Sequence, residues 1–469
     1  MDESKKSAAE QLKEKLFEDK KHGGLVLSEE ELEKAITFSE DYKRYLDASK
    51  TEREAVEETV MRAREHGFVE FVPGKRYAAG EKVYMVNRGK AIILATIGTE
   101  PIEKGVRINA AHIDSPRLDL KQRPLYEEAQ LALLKTHYYG GIKKYQWTAV
   151  PLALHGVVVR RDGTLVKVSV GEDDNDPIFC VTDLLIHLAE EQMKRPLHQG
   201  IKGEELNILV GSMPFRDDKA SELVKLSILN ILHEKYGIVE EDLLSAELEA
   251  VPAGRCRDLG FDRSMIGGYG HDDRVCAYTA LMAAIDCKKP AYTSVTILAD
   301  KEETGSEGNT GLDSAYLRYF VADLAEAYGT NDRTVLSVSK CLSADVNAAF
   351  DPTFPDVLDR RNCAYLNYGV CVTKYTGSRG KAGTSDCSAE FFGEIRSLFD
   401  RQKVLWQIGE LGKVDVGGGG TVAKYIAGLN VDVVDVGVPV ISMHAPMEVV
   451  SKVDVYSAYR AFVEFLSAQ

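Results

Sequence analysis

Five short segments of the chain each place metal-type ligands at the end of a hydrophobic run, and this set constrains the fold more than any other feature. The ligands are His112, Asp272, the adjacent pair Glu302 and Glu303, Asp345, and His444. Two imidazoles, three ligand carboxylates and one spare carboxylate suit a two-zinc hydrolase, because each ion needs three protein groups and an open position for water. One carboxylate must bridge the ions, and another must stay unbound to move protons.

Most of these ligands follow runs that are typical of buried strands. The sequence predicts strands over 82–87, 91–97, 106–113, 294–299, 335–339 and 431–441. In an open α/β sheet, ligands gather at the carboxyl ends of the strands. Charged helices are predicted from about residue 10 to residue 66, and a last helix carries Val455, Tyr459 and Phe462 on one face with Asp454 as its N-cap. The predicted fold class is therefore α/β, a mixed sheet flanked by helices, as in dizinc exopeptidases.

The ligand-bearing parts flank a stretch of different character. A hairpin is predicted from two β-like runs, Leu152–Val159 and Leu165–Val170, because the turn residues Arg161-Asp162-Gly163 separate them. A helix is predicted over 181–193 and further helical segments up to residue 236. We expect residues 1–116 and 247–469 to form the catalytic domain, and residues 117–246 to form an inserted β-rich domain.

Composition excludes several classes of protein. The net charge of −15 and a pI near 5.3 argue against nucleic-acid or anionic-membrane partners, because no basic stripe offsets the negative charge. No apolar run is long enough to span a bilayer, and the N-terminus lacks the apolar core of a signal peptide. The eight cysteines include no C-x-x-C pair and mostly lie in apolar runs. A cytoplasmic protein with reduced core thiols is predicted.

The residue types also suggest individual roles. His112 and Asp114 lie two positions apart on a strand, so their side chains share a face and Asp114 can accept the second imidazole N–H of His112. Asp272 opens a helix, where the helix N-terminus favours a carboxylate. Of the adjacent pair Glu302 and Glu303, one can bind metal while the other takes the proton of the attacking water and passes it to the leaving amine.

Together these motifs resemble those of the M18 family of metallo-aminopeptidases, the aspartyl aminopeptidase and aminopeptidase I group, over nearly the whole chain. The resemblance implies two Zn²⁺ ions per subunit and peptide substrates, although oxygen-rich sites with two histidines also accept Co²⁺ or Mn²⁺. It assigns His112, Asp272 and Asp345 to one ion and Asp272, Glu303 and His444 to the other. It also makes Glu302 the general base. A cis peptide bond between Asp272 and Asp273 is also expected.

The resemblance further implies a homo-oligomer. The inserted domain would mediate dimerisation, with dimers assembling into a dodecamer. The motifs Tyr139-Gly140-Gly141-Ile142 and Leu185-Ile186-His187-Leu188 match that domain. By this resemblance, His187 reaches the neighbouring subunit's active site and steadies the tetrahedral intermediate.

Substrate preference is the point at which the chain departs from the aspartyl enzymes. The loop from Lys374 to Lys381 differs in sequence from theirs, although Lys374 falls near a position linked there to acidic side chains. Its cations either favour Asp or Glu at the substrate N-terminus or only coat a loop. We expect a mainly apolar pocket that prefers neutral residues. The alternatives are an aspartyl aminopeptidase, a related dizinc deacylase or carboxypeptidase, and a self-assembling shell protein with a vestigial site.

Overall fold

A computed structural model describes residues 6–18, 20–217 and 219–469, which form an α/β fold. The strands, numbered in chain order, are β1 Val69–Glu70, β2 Lys82–Asn87, β3 Ala91–Thr96, β4 Val106–His112, β5 Arg117–Glu128, β6 Leu131–Tyr139, β7 Leu152–Val159, β8 Leu165–Val170, β9 Cys180–Val181, β10 Ile208–Gly211, β11 Ala246–Pro252, β12 Arg257–Leu259, β13 Met265–Gly268, β14 Thr293–Ala299, β15 Lys340–Ser343, β16 Asn347–Ala348, β17 Val370–Thr373, β18 Trp406–Ile408, β19 Asp432–Gly437, β20 Pro439–Ile441 and β21 Glu448–Ser451.

The α-helices vary widely in length, and several are a single turn. They are α1 Ala8–Leu16, α2 Gly23–Val26, α3 Glu29–Ala48, α4 Glu52–Glu65, α5 Glu190–Met193, α6 Leu197–Gly200, α7 Leu223–Tyr236, α8 His271–Asp286, α9 Tyr316–Ala327, α10 Asp332–Leu336, α11 Ala389–Arg401, α12 Ala423–Ala427 and α13 Lys452–Ser467. Two of the long helices, α3 and α4, begin with capping boxes in which Ser28 pairs with Glu31 and Thr51 with Glu54.

A nine-stranded mixed sheet forms the centre of the fold, in the order β1-β2-β3-β14-β4-β15-β19-β17-β18. Its four inner strands β14, β4, β15 and β19 run parallel, with Ala299 beside His112 and Ser343 beside Asp435 at their carboxyl ends. One face packs against α3, α4, α8, α11 and α13, and the other against α9, α10 and α12. These strands are buried on both faces, which explains their nearly continuous apolar sequences.

A second sheet is entirely antiparallel. Its strands, β5 to β11, come in the sequence between the two segments that build the mixed sheet. Its seven strands follow the order β8-β7-β11-β5-β6-β10-β9, and α7 packs over its inner strands. The predicted hairpin is confirmed, because β7 and β8 pair from Leu154–Val170 to Val159–Leu165. The sheet has its own core around the fully buried Trp147. A third, five-stranded sheet in the order β12-β13-β21-β20-β16 flanks the N-terminus of α8.

Three predictions of secondary structure were wrong. The single helix over 181–193 is replaced by the end of β9, a 3₁₀ turn at Ile186–Leu188 and the one-turn α5. Residues 335–339 end α10 and lead into a turn, because Asn331 caps that helix and the strand starts only at Lys340. The N-cap of α13 is Ser451, since its hydroxyl accepts the Val453 N–H.

The run over 431–441 is divided between two sheets. β19 ends at Gly437 and β20 begins at Pro439 in the five-stranded sheet. A Cβ at Gly437 would lie only 1.7 Å from the carbonyl oxygen of Asp345, so a side chain there would displace this ligand-bearing turn. Gly437 therefore lets the chain cross directly beneath Asp345.

The cysteines lie mostly in the core, as predicted. All eight cysteines are free thiols; seven are buried and Cys180 is half-buried. Among the described residues, no helix combines the length and the apolar character needed to cross a membrane.

Candidate active site

The candidate ligands meet at the carboxyl edge of the mixed sheet. His112 ends β4, Glu302 and Glu303 form a 3₁₀ turn just after β14, and Asp345 lies two residues beyond β15. The remaining two come from the N-terminal turn of α8, which carries Asp272, and from the turn after β20, which carries His444. The parallel register of the strands thus brings together residues that are far apart in the sequence.

The carboxylate of Asp272 lies between the two imidazoles. Its Oδ1 is 3.2 Å from Nε2 of His112, and its Oδ2 is 3.0 Å from Nε2 of His444. Its backbone is equally constrained, because the carbonyl accepts the Ser115 hydroxyl at 2.5 Å. The peptide bond between Asp272 and Asp273 is cis, as predicted. One carboxylate that faces two imidazoles through separate oxygens has the arrangement of a bridging ligand.

The other carboxylates surround this group. Nε2 of His112 is 3.8 Å from Glu302 Oε2 and 3.9 Å from Asp345 Oδ1, while Nε2 of His444 is 3.5 Å from Glu303 Oε1. Three triads have ligand atoms that all lie within 4.8 Å of one another: Asp272, Glu303 and His444; His112, Glu302 and Glu303; and His112, Asp273 and Asp345. The first is the set expected for one ion. For the other ion, His112, Asp272 and Asp345 were expected. The triad that contains His112 and Asp345 instead includes Asp273.

Backbone carbonyls fix the orientation of both imidazoles. Nδ1 of His112 donates to the carbonyl of Asp114 at 2.9 Å, and the Asp114 carboxylate lies 3.3 Å from the same nitrogen. Nδ1 of His444 donates to the carbonyl of Gly141 at 2.7 Å. A carbonyl only accepts, so each Nδ1 carries a proton and each Nε2 faces the carboxylates as a potential metal ligand.

The charges of this group are unbalanced without a cation. Among the described residues, no lysine or arginine pairs with these carboxylates, and Nε2 of His112 and Oε1 of Glu303 are buried without a hydrogen-bond partner. Burial, together with neighbouring carboxylates, raises the pKa of Glu303 and of Asp345 well above the usual range. Buried atoms that lack partners and acids that resist ionisation both indicate a site built for positive charge, and the mixture of N and O donors fits zinc.

Asp114 does more than contact His112. Its two carboxylate oxygens accept the backbone N–H groups of Glu302 at 3.1 Å and of Glu303 at 3.2 Å, and the Tyr139 hydroxyl donates to Oδ2 at 2.7 Å. The side chain is fully buried. Asp114 therefore joins the end of β4 to the turn that carries both glutamates.

Glu448, at the start of β21, is a site residue that the sequence analysis missed. Its carboxyl group is buried and accepts the backbone N–H groups of Asp272 and His444. Burial and the charge of Asp272 raise its pKa to about 8. A carboxylic acid at the start of the apolar run Glu-Val-Val-Ser was the available indication, because buried acids need partners.

A cavity of about 320 Å³ opens onto these ligands. Besides these ligands, the residues that line it include Val346, Asn347, Thr376, Leu411, Thr421, Met443 and the glycines of 418–420. Among the described residues, no lysine or arginine lines it.

Two predicted site residues lie outside this group. Lys374 is exposed and does not line the cavity, although Thr376 two residues later does. His187 lies in the exposed 3₁₀ turn of the antiparallel sheet region, and Leu185, Ile186 and Leu188 around it are 59%, 62% and 72% exposed. The structure thus brings Glu302 and Asp114 together with the residues expected to bind metal. Lys374 and His187 lie outside this group.

Comparison with known proteins places the chain in one family. Residues 45–466 match the model of aminopeptidase I zinc metalloproteases (M18). A probable M18 family aminopeptidase 1 from Clostridium acetobutylicum is 49% identical over 460 residues, which cover 96% of this chain and 99% of that protein. A probable M18 family aminopeptidase 1 from Thermotoga maritima is 44% identical over 442 residues, covering 92% and 97%.

Solved structures give the same result. The M18 aminopeptidase from Thermotoga maritima has a TM-score of 0.92 at 41% identity and covers 97% of this chain and 100% of its own. Aminopeptidase I from Clostridium acetobutylicum has a TM-score of 0.90 at 46% identity, covering 96% and 100%. The mApe1 dodecamer of S. cerevisiae, at 20% identity and a TM-score of 0.74, covers 92% and 96% and shares the fold. The chain therefore belongs to the M18 family of zinc metallo-aminopeptidases.

Proposed function

We propose that this aminopeptidase binds two metal ions per subunit and uses Asp272 as the bridging ligand. His112 and Asp345 complete one site, and Glu303 and His444 complete the other. The observation that carries this proposal is the position of Asp272, whose two oxygens lie 3.2 and 3.0 Å from the two Nε2 atoms. Asp273 is assigned a supporting role, because one of its oxygens accepts the backbone N–H of His112 at 3.3 Å.

Glu302 is the proposed proton shuttle. Zinc, when bound, supplies Lewis-acid activation of water and of the scissile carbonyl. The carboxylate of Glu302 takes a proton from the attacking water and delivers it to the leaving amine. Burial raises the pKa of the Glu302 carboxyl group, which favours a group that accepts and releases a proton. The hydrogen bond from its backbone N–H to Asp114 supports its position.

The preferred N-terminal residue is proposed to be neutral and apolar. Val346, Leu411 and Met443 present apolar surface to the cavity, and a buried acidic side chain would require a cation that the described lining residues do not supply. The alternative is an aspartyl aminopeptidase in which the loop around Lys374 turns its cation toward the substrate. Lys374 lies only two residues before Thr376, which lines the cavity, so a movement of this loop would bring its cation toward the substrate.

We also propose a homo-oligomer of dimers, assembled into a dodecamer, in which the inserted domain of residues 117–246 mediates dimerisation. The exposed apolar residues around His187 support a covered surface, because contiguous apolar patches on soluble proteins usually mark interfaces. The yeast relative with this fold is a dodecamer. His187 would then contribute to the active site of a neighbouring subunit.

The test combines metal analysis with substrate profiling. Purified protein is dialysed against zinc, cobalt or manganese, its metal content per subunit is measured, and hydrolysis of a panel of aminoacyl amides is recorded. Two ions per subunit and cleavage only of substrates with a free α-amine are expected. Activity at a single ion per subunit would contradict the dinuclear site. Cleavage of the matched N-acetylated substrates would instead favour a deacylase.

A further inference from the structure

The last residue of β6 and the two glycines that follow it approach the catalytic centre from the antiparallel sheet. Tyr139, Gly140 and Gly141 contact three different parts of it. The Tyr139 hydroxyl donates to Asp114, and the Gly141 carbonyl accepts Nδ1 of His444. Gly140 has a φ of +74°, and a Cβ there would lie 3.2 Å from Glu303 Oε2. The antiparallel sheet is therefore part of the catalytic centre of its own subunit.

We infer that Tyr139 is a positioning residue of the catalytic centre, which holds Asp114 and through it orients both His112 and the turn that carries Glu302 and Glu303. This inference rests on the proposed function. Asp114 has two carboxylate oxygens and four neighbours to satisfy: the imidazole of His112, two backbone N–H groups and the Tyr139 hydroxyl. Only the Tyr139 hydroxyl comes from the antiparallel sheet.

Arg117 keeps the ring of Tyr139 in place. Its guanidinium carbon lies 3.9 Å from the centre of the ring, a close cation–π contact. The same guanidinium is buried and pairs with Glu52 of α4 at 3.2 Å and with Glu249 of β11 at 3.2 Å. These pairs tie Arg117 to helix α4, which packs on the mixed sheet, and to β11 of its own antiparallel sheet. The ring is thus fixed from one side while its hydroxyl is directed at Asp114.

The neighbouring Tyr138 offers a matched control for this hydroxyl. The preceding residue, Tyr138, is 39% exposed and points to the opposite face of the strand. Tyr138→Phe and Tyr139→Phe therefore remove the same atom from adjacent residues of one strand, and only the second removes a contact to Asp114. Both variants keep the aromatic ring, so the packing on Arg117 survives in each.

The experiment measures zinc affinity and steady-state kinetics for the two variants in the full-length protein. Zinc affinity, from competition with a chromophoric chelator, needs no turnover. We expect Tyr139→Phe to weaken it about tenfold, as changes behind a metal ligand do. At saturating zinc we expect kcat to fall about 10- to 100-fold with KM nearly unchanged, equivalent to the loss of a hydrogen bond to a charged group. Tyr138→Phe should match the parent in both measurements.

A double-mutant cycle tests whether Tyr139 acts through Asp114. In the Asp114→Asn background, Tyr139→Phe should cause no further loss of kcat, whereas independent effects would multiply. Multiplicative losses, or parental kcat and zinc affinity in Tyr139→Phe, overturn the inference. Glu302→Gln is measured alongside: if it hydrolyses at the parental rate, the proposed function fails, whereas an inactive Glu302→Gln beside a fully active Tyr139→Phe refutes only the role of Tyr139.

Discussion

Glu448 accepts the backbone N–H of His444 at 2.7 Å with one carboxyl oxygen, and its other oxygen accepts the backbone N–H of Asp272 at 3.0 Å. Two proposed ligands on different elements are thus held by a single side chain. The φ of +64° at His444 makes this support more important, because a non-glycine residue rarely adopts that conformation without tertiary contacts.

Glu448→Gln should therefore weaken both the metal site and the fold. Glutamine offers one oxygen and one NH₂ group, so one of the two backbone N–H groups would face a donor. We expect zinc affinity to fall about 10- to 100-fold and the free energy of unfolding to fall by about 1–3 kcal/mol. Chelator competition and urea unfolding measure these effects. Glu326→Gln, on the exposed surface of α9, is the control; equal behaviour of the two variants would contradict the role of Glu448.

Glu302→Gln should separate proton transfer from metal binding. The amide cannot take a proton from water, but it keeps the size of the side chain, so metal content and assembly should remain parental. A loss of kcat of about 10²–10⁴-fold is expected. The measurements are kcat on a leucyl amide, metal analysis and light scattering. Glu307→Gln removes an exposed carboxylate from the same loop and should be silent. Rapid turnover by Glu302→Gln with metals bound would exclude Glu302 as the base.

His187 is predicted to act in a neighbouring subunit. His187→Ala should keep the oligomer but lower kcat by about 10²–10³-fold, the usual cost of losing one group that stabilises the tetrahedral intermediate. His198→Ala, at an exposed histidine of α6 in the same region, is the matched control.

Mixed oligomers test the same prediction directly. Subunits with Glu302→Gln retain His187, and subunits with His187→Ala retain Glu302. If His187 acts between subunits, exchanging the two inactive proteins should restore part of the activity. Failure to recover activity, after subunit exchange has been verified with a labelled chain, would show that His187 has no such role.

A different histidine should make stability depend on pH. Nδ1 of His155 is 2.9 Å from Glu54 and Nε2 is 3.1 Å from Glu172. Burial disfavours the charged ring, but the hydrogen bonds to Glu172 and Glu54 outweigh it and raise the pKa of His155 to about 8. Because the folded-state pKa exceeds the ordinary value of 6.5, this contribution to stability is complete below that pH and is lost as the pH rises through about 8.

The expected contribution of the charged His155 is about 2 kcal/mol. Unfolding by urea is compared for the parent and for His155→Gln, which retains hydrogen bonding but cannot become charged. The difference in unfolding free energy should be larger near pH 6 than near pH 9. A difference that does not change with pH would mean that the ring stays neutral between the two glutamates.

The sequence predicted the parts of the site that local pattern determines. His112, Asp345 and the glutamate pair follow strand ends, and the parallel sheet brings strand ends together, so their meeting was foreseeable. Glu448 and Gly141 were not, because their contribution is made by hydrogen bonds between residues far apart in the chain, and no spacing rule reports such contacts. The helix predicted over 181–193 is not formed, and most of the apolar residues in this range are exposed on the surface proposed here as an interface.

Helix caps account for two errors in the predicted secondary structure. The run at 335–339 looks like a strand by composition, yet Asn331 starts a helix that continues through its first residues. Asp454 looks like an N-cap, yet Ser451 occupies that position and Asp454 instead accepts the N–H groups of Asn367 and Gly369. In both cases the competing cap lay a few residues earlier, where one hydrogen bond fixes the start of the helix.

Substrate preference is the last prediction. We expect kcat/KM for a leucyl amide to exceed that for an aspartyl amide by about 10- to 200-fold, equivalent to about 1–3 kcal/mol in transition-state binding. The reason is that the cavity presents Val346, Leu411 and Met443, while Lys374 lies outside it. Lys374→Ala should leave this ratio unchanged, as should Lys381→Ala, which removes a loop cation paired with Asp386. A clear aspartyl preference that Lys374→Ala abolishes and Lys381→Ala does not would instead make Lys374 the specificity residue.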